Sequence, residues 1–359
     1  MGDIEYLGGV GEGAFVRGNE RGTTGATAGS GFPQLEPRTS DWDWRRKIDA
    51  ASHVETPRSI LRELARDEEE LVRSGVAHNP NCPKDVLRLL AADQEDLVRS
   101  HVAFNPNCPR DVLRTLAQDP WEEVRESVAR NDATPPDILR ILAKDRDGVI
   151  RGYTAFNVSC PLDLLEELAT DPDPEVRSMV AWSVNCSEQL LRRLVLDDDA
   201  SVVAAVAHND DCPLDLLAGL AIDRDHRVRG GVGANRSCPV KLLRILAKDL
   251  DPHVRRSVAT NESAPVDLLR ELAKDPDSIV RFWVAANLSC PQDLLDELRA
   301  QDDPFLEELD SDALLELVNA DLANGLHQLI EFPGGPAAPA SPDTAPTTPQ
   351  QDGNDPGTE

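Results

Sequence analysis

Basic residues are scarce in this chain. Its 37 Lys and Arg stand against 65 Asp and Glu, a formal net charge of −28, and the isoelectric point is about 4.6. A duplex-binding protein draws most of its affinity from Lys and Arg on phosphates, so this balance argues against a nucleic-acid partner. An anionic membrane surface is disfavoured on the same ground. No run of eighteen apolar residues occurs to cross a bilayer. The first forty residues lack a basic segment followed by an apolar one, so they do not read as a secretory signal. The expectation is a soluble, cytoplasmic protein with neither a nucleic-acid nor a membrane partner.

Familiar catalytic fingerprints are missing as well. There is no Walker A sequence, no G-x-G-x-x-G after a strand, no G-x-S-x-G, no H-E-x-x-H and no H-x-x-x-H. The seven His are scattered along the sequence. No Cys precedes Cys82 and no C-x-x-C pair exists; an odd count of seven does not suit a disulfide framework. No catalytic residue, metal ligand or cofactor is therefore expected.

What the chain does have is a motif copied at a fixed period. Thr56, Cys82, Cys108, Thr134, Cys160, Cys186, Cys212, Cys238, Ala264 and Cys290 each follow the last by 26 residues, and nine of these ten precede a proline. Self-similarity at this period means a solenoid, in which each unit buries its apolar face against its neighbours. Nine full copies run over 56–289, a tenth begins at Cys290, and a partial copy precedes them over 41–55, giving a solenoid of 41–302. The segment 303–332 carries Phe305, Leu309, Leu315, Leu322 and Leu329 at helical spacing and reads as a helical cap. The Gly-rich 1–40 and the acidic Pro/Ala/Thr tail 333–359 read as disordered.

One unit, CPKDVLRLLAADQEDLVRSHVAFNPN from Cys82, shows the local logic. Pro83 suits the first turn of a helix, and Asp85 suits its positive end. Val86, Leu87, Leu90 and Ala91 make an apolar stripe, and Asp93 ends the helix. After a polar bend, a second and shorter helical element carries Val98, Val102 and Ala103. Asn105, Pro106 and Asn107 turn the chain into the next unit, Asn being favoured where φ is positive. The Cys slot also accepts Thr and Ala, so it asks for a small buried or capping side chain.

Polar slots recur with the same period. Arg73, Arg99, Arg125, Arg151, Arg177, Arg229, Arg255 and Arg281 form one column, with Asp and Asn columns beside it. Serving every unit alike, the Arg column reads as a structural ladder, each Arg pairing an Asp of its own or the adjacent unit. The unit at Cys186 breaks it, with Ser187 for Pro, Val203 for Arg and Ser183 for the preceding Asn. Slots that vary are free to specialise. The residue before the Asn slot gives His78, Phe104, Phe156, Trp182 and His208, in a chain with only 4% aromatics. Such a ridge could anchor a partner; packing into the corner between units is the alternative.

The unit xCPxDLLxxLAxDxDxxVRxxVAxN resembles the leucine-rich repeat variant family over roughly 56–300, and more distantly HEAT and armadillo repeats. The resemblance implies alternating α and 3₁₀ helices in a right-handed superhelix without strands. The iron–sulfur cysteine cluster that the family's type member carries ahead of its repeats has no counterpart here, so that cofactor is not carried over. The expected fold is an all-α solenoid of tandem 26-residue helical repeats. The expected function is a non-enzymatic scaffold for a protein or peptide. Rival readings are a HEAT-like repeat enzyme, such as a DNA glycosylase or a metal-dependent hydroxylase, and a regulatory module acting through its tail.

Overall fold

The computed structural model describes residues 39–300. The Gly-rich start, the 303–332 cap and the acidic tail lie outside them. Among the described residues the chain is helical throughout and no strand occurs. It is an α-solenoid of tandem repeats.

Each full unit holds two α-helices, of seven and nine residues, such as Lys84–Leu90 and Asp96–Phe104. The pair recurs from Arg58–Leu64 and Glu70–His78 through to Val266–Leu272 and Ser278–Ala286. The partial copy at the start supplies only a nine-residue helix, Trp44–Ser52, and the last copy only a first helix, Gln292–Arg299. Two expectations need correcting. Both elements are α-helical, and a 3₁₀ turn occurs only at Thr39–Asp41 among the described helices. The second element is also the longer one.

The reason lies in how the first helix ends. Leu90 is its last residue; Ala92 and Asp93 then donate to the carbonyls of Leu89 and Leu90 at 3.3 and 3.0 Å. These i→i−3 bonds tighten the chain into the bend earlier than the apolar stripe suggests. Its start is also displaced: Pro83 is the residue before the helix, extended at φ −65° and ψ 143°, and its carbonyl accepts from Val86 and Leu87. The nine-residue helix meets no breaker until Asn105. From Asp147 onward its start is capped by Asp, whose carboxylate accepts the backbone N–H two residues on, as Asp173 does from Glu175 at 3.0 Å.

Consecutive nine-residue helices pack on one another and form a continuous layer. The seven-residue helices make a second layer, each touching the nine-residue helices on either side of it in sequence. Between the layers lie Leu87, Leu90, Val98, Val102 and Ala103 and their counterparts, essentially without solvent exposure. Removing that apolar surface from water, at roughly 25 cal/mol per Å², is what makes a unit stable only beside its neighbours.

The cysteines belong to this interior. Six are buried and Cys290 is half-buried. Each thiol faces the carbonyl of the next residue, as Cys82 Sγ does that of Pro83 at 3.8 Å. Where Thr134 takes the slot, its hydroxyl donates to the Val128 carbonyl at 2.7 Å. Burial pushes the Cys82 thiol up to about 12 and the half-buried Cys290 thiol up to about 11. The nucleophile is the thiolate, so a thiol reagent at pH 8 should modify the native protein slowly and Cys290 first. After denaturation all seven should react at once. Rapid native labelling at Cys82 or Cys108 would contradict this placement.

Candidate binding face

The repeated polar slots are occupied with joining unit to unit. Arg99 shows the pattern: Nε and Nη2 donate to both carboxylate oxygens of Asp119 in the next unit, at 2.8 and 3.0 Å. Its Nη1 turns back to the carbonyls of Asp93 and Gln94 in its own bend, at 2.9 and 3.0 Å. Asp119 Oδ1 also accepts the N–H of Trp121, which fixes the start of the following helix. The same clamp joins Arg73 to Asp93, Arg125 to Asp145, Arg151 to Asp171, Arg177 to Asp197, Arg229 to Asp249 and Arg255 to Asp275. Arg281 makes the bend contacts, donating to the carbonyls of Asp275 and Pro276. Lys47 fills this slot in the partial copy and reaches Asp67 at 2.8 Å. The paired bidentate geometry suits guanidinium, and each Arg is thereby committed.

The Asn column is a second, buried set of hooks. Asn105 Nδ2 donates to the carbonyls of Ala77 and Asn79 in the preceding unit, at 2.7 and 2.9 Å. Its Oδ1 accepts the N–H of Asn107 at 2.9 Å. The backbone is not left-handed, as the turn reading supposed: φ is −63° at Asn105. The slot requires Asn for its side chain, which satisfies carbonyls left over at the end of the preceding nine-residue helix. In the layer of seven-residue helices, Asp85 and its counterparts pair with an Arg of the preceding first helix. Exposed pairs run from Arg62–Asp85 and Arg88–Asp111 to Arg244–Asp267 and Arg270–Asp293.

The Cys186 unit interrupts this framework. Val203 leaves Asp223 without an ion pair, although Asp223 still accepts the N–H of Asp225 at 2.8 Å. Asn209 bonds Ala181 at 2.7 Å, and Ser183 Oγ accepts only a long bond from Asn185 at 3.4 Å. At this point the helices Ala200–His208 and His226–Ala234 approach closely. A Cβ on Gly231 would lie 2.6 Å from the Ala204 carbonyl oxygen, so only glycine fits there.

The variable slots sit on the other side of the nine-residue helices. In Asp96–Phe104, Val98, Val102 and Ala103 face the core, so Leu97, Ser100, His101 and Phe104 share the opposite face at i, i+3, i+4, i+7. Leu97 and Phe104 are 39% and 43% exposed. His78 and Phe104 are exposed; Phe156, Trp182 and His208 are half-buried. The structure brings Trp182 and His208 together, ring centroids 4.1 Å apart. His78 meets His101 edge-on at 5.3 Å. No ring contact joins Phe104 or Phe156 to another described residue.

His101 and Tyr153 escaped a reading restricted to one slot. Both lie one turn earlier on the same face. The Arg130 guanidinium lies 5.0 Å from the Tyr153 ring centroid. Further along, Phe282 and Trp283 meet edge-on at 5.5 Å, with the Arg256 guanidinium 5.7 Å from the Trp283 ring. Burial, aided by the charge of nearby His78, lowers His101 to about 4; burial likewise lowers His208 to about 4. At neutral pH both are uncharged, so this face offers flat apolar rings, with Arg130 and Arg256 each beside one of them. Two shallow cavities of about 330 and 280 Å³ among the described residues lie elsewhere, beside Ala65 and Asp93 and beside Arg270 and Leu294. Neither gathers a nucleophile with a base.

Known proteins bear on the repeat. Residues 252–277 match the family model described as leucine rich repeat variant. A solved structure titled as a leucine-rich repeat variant with a novel repetitive protein structural motif is 28% identical, covering 64% of this chain and 87% of its own, with a TM-score of 0.37. An X-ray structure of YibA from E. coli is 17% identical over 74% of this chain and 100% of its own, with a TM-score of 0.34. An engineered protein is 14% identical over 81% of this chain and 95% of its own, with a TM-score of 0.25. No curated protein matches the chain. No described helix is long and apolar enough to cross a membrane. The matched segment is one copy of the 26-residue unit that recurs in register along 56–289, and the chain is a helical repeat protein whose unit at 252–277 is similar to the leucine rich repeat variant.

Proposed function

We propose that the chain is a non-enzymatic scaffold that binds a protein or peptide along the exposed face of its nine-residue helices. One observation carries this reading. The slots that are the same in every unit have their polar groups committed to neighbouring units, as with Arg99 on Asp119 and Asn105 on Ala77. The slots that vary put Phe104, Phe156, Trp182 and His208 on one face, where desolvating rigid rings can hold a partner. The acidic balance supports a protein partner over nucleic acid or an anionic membrane. The fold alone assigns no partner, so the claim rests on this face.

The test is affinity capture from native lysate with the full chain, beside a Phe104→Ala, Phe156→Ala, Trp182→Ala variant. A protein held by the native chain, crosslinked at this face and lost by the folded variant supports the reading. Equal retention by both chains removes the ridge as the binding face.

A further inference from the structure

We propose that His226, Asp251 and His253 form a binding site for one divalent transition-metal ion of the zinc type. In sequence the two His look unrelated. Stacking brings them together, because His226 opens the helix His226–Ala234 while His253 lies in the first turn of the next, Pro252–Thr260. Their ring centroids are 5.9 Å apart. One potential ligand atom from each of the three residues lies within 4.8 Å of the other two.

The carboxylate is already oriented between the rings. Asp251 Oδ1 accepts the backbone N–H of His253 at 2.9 Å and lies 3.0 Å from His253 Nδ1. Asp251 Oδ2 faces His226 Nδ1 at 3.8 Å. An imidazole nitrogen binds zinc at about 2.0–2.1 Å in a tetrahedron, so two ligand atoms on one ion are about 3.4 Å apart. Asp251 Oδ1 and His253 Nδ1, at 3.0 Å, are already that close, and the set of three atoms, all within 4.8 Å, needs to close by no more than roughly 1.4 Å. The His side chains are 48% and 70% exposed, free to turn inward by that amount. Two imidazoles and a carboxylate select zinc, nickel or copper over magnesium and calcium, which prefer oxygen alone.

The surroundings tolerate the charge. Arg227, the nearest cation along the chain, is committed to Asp225 at 2.8 Å, and Asp225 Oδ1 stands 3.9 Å from His226 Nδ1 as a further acceptor. Asp251 is the helix cap that recurs in the units around it, but nothing in the repeat framework calls for the two His. The slot of His226 holds Ala200 and Pro252 in the units beside it, and the slot of His253 holds Arg227 and Ile279. Three protein ligands leave the remaining positions on the ion open to water or to a group from a partner. An ion here would also link two adjoining units.

The probe is zinc chloride titrated into the tag-free full chain, followed by calorimetry and thermal melting. The expected result is one ion per chain and a melting temperature that rises with zinc concentration. His226→Ala and His253→Ala should each weaken binding by about tenfold or more while leaving the metal-free melting curve unchanged. The cobalt adduct should show no thiolate charge-transfer band, which separates this site from the buried Cys column. Absence of binding, native affinity in either His variant, or a thiolate band would overturn the proposal.

Discussion

Acidification should unfold this protein in two stages. The first begins below about pH 6.5, the ordinary histidine pKa. His101 and His208 stay neutral in the folded chain down to about pH 4, whereas in the unfolded chain they take up protons from about pH 6.5 downward. Between those values the unfolded state holds more protons, so stability falls as pH falls. Each half-buried ring should account for on the order of 1–3 kcal/mol across that window, by the conversion of pKa shift to free energy.

The second stage belongs to the Asp ladder and follows the same bookkeeping of protons, the unfolded state again holding more of them. At Asp93, Asp145, Asp171 and Asp275 burial would raise the carboxyl, but hydrogen bonds from the paired Arg and from backbone N–H outweigh it and hold it below the ordinary range. At Asp197 and Asp249 the Arg bond is the largest influence and points the same way. These groups add stability that is fully present above the unfolded carboxyl pKa, near 4, and is lost as pH drops through their lower folded values. Melting temperatures at pH 7.5, 5.5, 4.5 and 3 should therefore decline in the second interval and collapse in the last. His208→Gln should flatten the first decline and leave the collapse in place. A melting temperature constant from pH 7.5 to 4.5 would contradict the buried, neutral state of these rings.

Asn105→Ala should be among the most damaging single substitutions. It removes two donors to the buried carbonyls of Ala77 and Asn79 and the acceptor for the Asn107 N–H. Leaving buried polar groups unpaired costs more than a hydrogen bond adds, so a loss of roughly 2–4 kcal/mol is expected. Asn105→Asp should be at least as harmful, because a carboxylate would face the two carbonyls with no N–H to offer. Asn107→Ala is the control: Asn107 is exposed, and its side chain makes a single bond to Pro80 at 2.6 Å. Equal stability of the Asn105 and Asn107 variants in equilibrium unfolding would refute the hook.

The period, the number of units and the all-helical class were legible because Cys-Pro, Leu-Leu and Val-Ala pairs keep register. Helix lengths were harder to read. Ala91 and Ala92 continue an apolar pattern, yet the chain closes i→i−3 bonds there, and hydrophobicity carries no trace of that choice. Asn105 was found, but composition favours a left-handed turn for Asn, while its work is done by an amide reaching 26 and 28 residues back. Lys47 escaped because the column was sought as Arg. For Asp85, the helix-end reading was incomplete, since its carboxylate also meets Arg62 of the preceding unit. Aligning equal slots hid what adjoins across unequal ones: His78 meets His101, and His226 meets His253, only through the stagger of stacked helices.

The central claim is that identical slots hold the solenoid together and leave the variable face for function. Val203→Arg tests it most directly. Val203 occupies the Arg slot, Asp223 has no ion pair, and the carbonyls of Asp197 and Asp198 are at the bend spacing that Arg99 uses for Asp93 and Gln94. The substitution should raise stability by about 1 kcal/mol in thermal or denaturant unfolding, and adding Asp223→Asn should cancel the gain. An unchanged or lowered melting temperature for Val203→Arg would contradict the account.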